Sequence, residues 1–246
     1  MDEENRLTAE EQEKENQRIF DERADKEGWE GTADELIKTD FKPVEHIVED
    51  YIPEKSIVYF FGPPDCGKSW ELIYIALCCA EGKKVFDILK TKKCRVMYFD
   101  EENNEARMKM RIKALIKGEK ISEEGQKNLK ILIYKGLSIT LTRWTNWISR
   151  KIREFKPEFI ILDSLSAVYE GDQLSVKDAN KIRRWATEIT KKHNCSIVFI
   201  AHCPKQNQFK GKKKGLTQDD LFGSMQFAGQ ASAITAIDKI GTAENE

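Results

Sequence analysis

The six cysteines of this 246-residue chain include no Cys-x-x-Cys pair. That absence argues against structural zinc, and cysteines sitting mostly in apolar runs argue for a reducing compartment. No stretch of 18 apolar residues occurs, so no membrane-spanning helix is expected. The start, MDEENRLTAEEQEKENQRIF, is too acidic for a signal or transit peptide. No internal repeat is present. These absences lead to the expectation of a soluble, cytoplasmic protein with no membrane partner.

The near-zero net charge of −1 conceals an uneven distribution. Residues 1–30 carry 12 acidic and 5 basic side chains, a net of −7 that leaves +6 on the rest. Residues 1–40 therefore read as an acidic N-terminal arm, poor in apolar side chains and either disordered or a solvated helix. It is also a candidate docking segment for a neighbouring subunit or another protein partner. Residues 41–246 are long enough for one α/β domain with a sizeable core.

Residues 62–69 read G-P-P-D-C-G-K-S and fit the phosphate-loop pattern G-x-x-x-x-G-K-[ST]. Strand formers, residues 57–61, precede the loop, and Trp70, Ile73, Tyr74 and Leu77 recur after it at helical spacing. A helix start offers unpaired N–H groups and partial positive charge to an anion. Gly62 and Gly67 let the backbone curl so that the N–H groups of the loop, through Pro64, Asp65 and Cys66, converge on a phosphate. Pro63 carries no N–H but shapes the turn, and Trp70 follows in the first helical turn. Lys68 is expected to reach the β- and γ-phosphates of ATP, and Ser69 to offer its hydroxyl to Mg²⁺.

Alternation continues beyond the loop. Residues 94–99 read as a strand, 105–116 as a helix and 129–136 as a strand. Trp144, Ile148, Ile152 and Phe155 share a helical face, and 158–164 form an apolar strand. Ala179, Ile182, Trp185, Ala186 and Ile189 mark another helix before a strand at 195–202. Residues 41–56, with two prolines, read as an irregular lead-in. Strands apolar on both faces that alternate with helices predict an α/β fold, a mainly parallel sheet covered by helices on both sides.

Ligands of such sheets bind beyond the carboxyl ends of the strands. After the second strand come Asp100, Glu101, Glu102 and Asn103. Asp100 and Asn103 suit either capping or the site, whereas Glu102 is the candidate base that orients or deprotonates the attacking water, with Glu101 as runner-up. The run FIILD ends in Asp163, placed to hold Mg²⁺, and Ser164 follows as a ligand or a turn cap. His202 closes the last strand and is a candidate γ-phosphate sensor or a histidine satisfied by a carbonyl. Residues 205–215, KQNQFKGKKKG, hold five lysines, two glycines and no acid. They form a solvated surface loop, or a grip on a phosphate backbone through Lys205, Lys210, Lys212, Lys213 and Lys214 with Phe209 stacking on a base.

Together GPPDCGKSW, RVMYFDEEN, FIILDSLSAV, SIVFIAHCPK and DDLFGSMQFAGQASAITAID resemble the RecA-like P-loop ATPases, and within them the RepA-like branch of hexameric replicative helicases. The likeness covers about residues 41–238. It implies a RecA-like core, Glu102 as catalytic base, Asp163 as the Walker B acid and His202 as the sensor. It further implies nucleic-acid contact through residues 166–176 and 203–221, and a homo-oligomeric, hexameric ring. Gly223 and Ser224 match the stretch before the last core strand, and Lys239 is a candidate for reaching a neighbour's nucleotide. Two departures stand out. Asp65 occupies a position where relatives have a small residue, and the chain ends soon after Ile240, without much of the C-terminal sheet of some relatives.

The leading expectation is a Mg²⁺-dependent ATPase motor acting on single-stranded DNA. The alternative is an ATP-dependent switch or assembly module that recruits protein partners through the acidic arm. A small-molecule kinase shares the phosphate loop but calls for an arginine-rich lid, and the lysine loop has no arginine.

Overall fold

The computed structural model describes residues 9–24, 28–169, 176–203, 216 and 231–238. The chain divides into two compact units, residues 1–43 and 44–246.

The first unit contains α1 (Ala9–Ala24) and α2 (Ala33–Lys38). Helix α1 is exposed almost throughout its described surface and carries local pairs such as Arg18 with Glu15 and Glu22, so here the arm takes the form of a solvated helix. Thr32 and Glu35 cap α2 reciprocally, the Thr32 hydroxyl accepting from the Glu35 N–H and the Glu35 carboxylate from the Thr32 N–H.

The second unit opens with β1 (His46–Val48) and β2 (Ile52–Pro53), an antiparallel pair. This corrects the expectation of an irregular lead-in: Ile47, Val48 and Ile52 are buried against the helical layer. The sheet proper comprises β3 (Ile57–Gly62), β4 (Val96–Asp100), β5 (Leu129–Ile133), β6 (Phe159–Asp163), β7 (Ser196–His202) and β8 (Ala233–Ala236). Its order is β5-β4-β6-β7-β3-β8, with every pairing parallel. The expected α/β fold, a mainly parallel sheet of RecA-like form with helices on both faces, is what the chain adopts.

Alternation assigns each strand residue to a layer. Tyr59, Phe61, Met97, Phe99, Ile160, Leu162, Ile197 and Phe199 pack on one side with α6 (Thr142–Phe155), α7 (Leu165–Val168) and α8 (Val176–His193). Val58, Phe60, Tyr98, Ile161, Val198 and Ile200 face α3 (Lys68–Glu81), α4 (Glu105–Glu119) and α5 (Glu123–Asn128). Burial on both faces explains why the strands read as continuous apolar runs rather than alternating ones.

Several boundaries move from their expected places. The strand expected at 129–136 stops at Ile133, because Tyr134 and Gly136 take positive φ and turn the chain. Strand β4 runs to Asp100 rather than Phe99, and α4 continues past residue 116 to Glu119. The strands expected at 158–164 and 195–202 occupy Phe159–Asp163 and Ser196–His202. Strands β3 and β4, consecutive in the main sheet, are separated by β7 and β6. Their carboxyl ends therefore flank a crevice.

Among the described residues no helix is long and apolar enough to cross a membrane.

Candidate functional site

The crevice begins at the loop after β3. Gly62 is in register with His202 on β7, and a Cβ on Gly62 would lie 2.1 Å from the Ile237 carbonyl oxygen. Glycine is required there by the close approach of backbone to backbone. Gly67, with φ +99°, opens α3 in a conformation few other residues adopt. Asp65 also has positive φ, +57°, a region that Asp tolerates better than most side chains. The departure at Asp65 thus answers a backbone demand while leaving an exposed carboxylate at the rim.

Lys68 is nearly buried, 4 % exposed. Its Nζ donates to the carbonyl oxygens of Gly62 (3.0 Å) and Pro63 (2.7 Å) and lies 3.7 Å from Cys66 Sγ. This corrects the expected outward reach: without phosphate oxygens, the ammonium satisfies its donors on its own loop. Gly62, Pro63 and Cys66 accordingly hold the lysine, whereas Pro64, Asp65, Gly67, Lys68, Ser69 and Trp70 line a cavity of about 370 Å³.

The opposite wall comes from the loop after β4. Asp100 is fully buried and its Oδ1 accepts from the N–H groups of Glu102 (3.0 Å) and Asn103 (2.8 Å), a turn that fixes the loop backbone. Burial raises the Asp100 pKa, partly offset by those donors. Asn104, rather than Asp100 or Asn103, caps α4, its Oδ1 accepting from the Arg107 N–H. Glu101 engages both carboxylate oxygens with the N–H groups of Lys135 and Gly136, so the runner-up base is tied to the loop after β5. Glu102 faces the cavity.

One oxygen of Glu102, Oε1, accepts from the Ser164 hydroxyl and lies 3.0 Å from His202 Nε2. These partners, with the Lys68 charge, hold the Glu102 pKa below the usual carboxylate value against the effect of burial. His202 also lines the cavity, with its Nδ1 buried and lacking a hydrogen-bond partner.

Asp163 is fully buried and does not line the cavity itself. Burial pushes its pKa up to about 6, offset in part by the Ser69 and Tyr98 hydroxyls and reinforced by Asp100 and Glu102. Tyr98 donates to its Oδ2 at 2.8 Å, whereas Oδ1 makes no well-formed hydrogen bond, and neither does Asp100 Oδ2. Two buried carboxylate oxygens with unfilled acceptor capacity close to Ser69 suit a hard, oxygen-seeking cation. Among the described residues no cluster of three or more His, Cys, Asp or Glu side chains is arranged to hold a metal unaided, a donor set that suits an ion also ligated by phosphate oxygens.

Two arginines escaped the sequence reading. Arg107 and Arg111 on α4 line the cavity, and the Arg111 guanidinium lies over the Trp70 ring, 5.5 Å from its centre. Arg111 Nε and Nη1 are buried without hydrogen-bond partners. Their four-residue spacing was readable as one helical face, but only the fold sets that face beside the phosphate loop.

Lys205, Phe209, Lys210, Lys212, Lys213, Lys214, Gly223, Ser224 and Lys239 lie outside the described residues, as do 170–175 of the first expected nucleic-acid loop.

Comparison with known proteins follows this geometry. The AAA domain family profile matches residues 23–208. The DNA repair protein RadA of Aquifex aeolicus is 22 % identical over 189 residues, covering 75 % of this chain but 37 % of RadA, so the chain spans little more than a third of that relative's length. Among solved structures, a helicase ATPase domain superposes with a TM-score of 0.51 at 18 % identity, covering 74 % of this chain and 69 % of that one. The RadB recombinase gives a TM-score of 0.48 at 14 % identity, covering 77 % of each. The likeness to the solved ATPase domain bears out the RecA-like P-loop fold.

Proposed function

Because this chain belongs to the AAA domain family, a family of P-loop ATPase folds, we propose that it binds ATP with Mg²⁺ in the crevice between β3 and β4 and hydrolyses it. The observation that carries this reading is the meeting of Lys68, Ser69, Glu102 and His202 around one cavity with the under-bonded Asp163 close behind Ser69.

The loop N–H groups and the first turn of α3 bind the β-phosphate. Lys68 exchanges its two carbonyl acceptors for β- and γ-phosphate oxygens, and Arg111 with Trp70 frames the nucleotide from α4. Ser69 and Asp163 would hold Mg²⁺, which supplies charge neutralisation on the transferring phosphoryl group. Glu102 aligns water for in-line attack, and His202 senses the γ-phosphate.

The finer reading is a homo-oligomeric motor of the RepA-like type, a hexameric ring acting on single-stranded DNA. Its supports are the sequence resemblance, the lysine-rich segment at 205–215 and a relative named as a DNA repair protein. ATPase assays with and without single-stranded DNA, alongside a mass measurement in ATP and Mg²⁺, test it. Stimulation by DNA and a ring-sized mass are expected. Turnover indifferent to DNA, with Lys212, Lys213 and Lys214→Ala binding DNA normally at low salt, overturns the motor and leaves the ATPase.

One observation favours the switch reading instead: the acidic first unit exposes Ile19, Phe20 and Ile37, the last at 85 %, side chains suited to a protein partner. Deleting residues 1–40 discriminates. Loss of a partner complex with an unaltered DNA response favours the switch.

A further inference from the structure

Glu102 is held as a poor base by its neighbours. Its backbone is fixed by Asp100, so only the side chain can move, and that side chain has one oxygen, Oε1, shared between Ser164 and His202. Ser164 has a second choice: the Ser166 hydroxyl lies 2.8 Å from its own, and either can donate. Ser164 is fully buried at the end of β6, whereas Ser166 is exposed on α7. The Ser164 proton therefore stands between two acceptors, one catalytic and one on the surface.

A hydrogen bond donated to a carboxylate stabilises its charged form and weakens it as a base. Building on the ATPase reading above, we propose that Ser164 is a latch on Glu102: while it donates to Oε1 turnover is slow, and when it donates to Ser166 Glu102 is released to engage water. Ser164 is a positioning residue here. It acts through Glu102 and does not line the cavity. The switch needs no new partner group, since the alternative acceptor is already within hydrogen-bonding distance, and small shifts of α7 select between the two states.

The two serines then have opposite effects. Ser164→Ala removes the latch and should raise kcat about tenfold without DNA, the factor that one charge-assisted hydrogen bond of ordinary strength represents, with KM for ATP unchanged. Ser166→Ala removes the alternative acceptor, keeps Ser164 on Glu102 and should lower kcat. A merely structural serine gives no such pair of signs, and Ser166, being exposed, can be replaced without threatening the fold. In a Glu102→Gln background the gain from Ser164→Ala should vanish. Steady-state kinetics on the full chain, with circular dichroism to verify folding, decides. Wild-type turnover that Ser164→Ala leaves unchanged or slows overturns the latch alone. A gain that survives in Glu102→Gln also overturns it. A wild type that shows no turnover, with Ser164→Ala equally inactive, overturns the ATPase reading and the latch with it.

Discussion

Replacing Asp163 by Asn separates what the buried carboxylate does for the fold from what it does for the chemistry. Burial raises its pKa from 3.8 to about 6. Between those values the native state retains a proton that the unfolded chain has released, so stability falls as pH rises through this window, and the loss is complete above pH 6. At about 1.4 kcal/mol per pH unit, the uncompensated charge costs the metal-free protein about 3 kcal/mol at pH 8. Asn keeps the shape and an acceptor for the Tyr98 hydroxyl, but its amide needs a partner of its own, which reduces the expected gain to about 1–3 kcal/mol. Urea denaturation of wild type and Asp163→Asn, in chelator, at pH 4.5 and pH 8 measures the difference. The variant should be more stable at pH 8 and nearly equal at pH 4.5, while its ATP turnover falls by about a hundredfold or more. A variant that is less stable at pH 8, or a difference independent of pH, refutes the reasoning.

Lys68→Ala should abolish the ATP-induced rise in melting temperature and also destabilise the empty protein by about 1–3 kcal/mol, since two carbonyls lose a charged donor; an unchanged thermal shift with ATP contradicts this. Gly62→Ala forces a Cβ onto the Ile237 carbonyl and should lower the melting temperature by about 5–10 °C, or prevent folding. Arg111→Ala or Trp70→Ala should weaken ATP binding by about 3- to 30-fold in calorimetry, the range of one partly desolvated cation–π pair; unaltered affinity in both would remove α4 from the site.

The strands of the core were legible because each is buried on two faces and so is written as an unbroken apolar run, FIILD being the plainest. The phosphate loop was legible because its glycines and Lys68-Ser69 are local requirements. The β1–β2 pair was not, since two strands of 3 and 2 residues leave no periodicity and are held by packing against the helical layer. The sheet order was equally hidden: nothing in the residues near Phe61 announces that β7 and β8 flank β3. At the site, sequence narrowed the base to two adjacent glutamates. The fold separates them by committing Glu101 to the amides of Lys135 and Gly136, a contact between segments far apart in the chain. Arg111 and the Ser164 link to Glu102 were hidden for the same reason. Both depend on which helix or strand end arrives beside the loop, and no local pattern encodes that.

Retention of nucleotide by Glu102→Gln tests the account most directly. Wild type and variant are loaded with γ-labelled ATP and Mg²⁺, desalted, and assayed for bound ATP and released phosphate. The convergence of Lys68, Asp163 and Glu102 on one triphosphate predicts that wild type releases phosphate while the variant keeps intact ATP. Phosphate release from the variant at the wild-type rate, or no ATP bound by either protein, would contradict it.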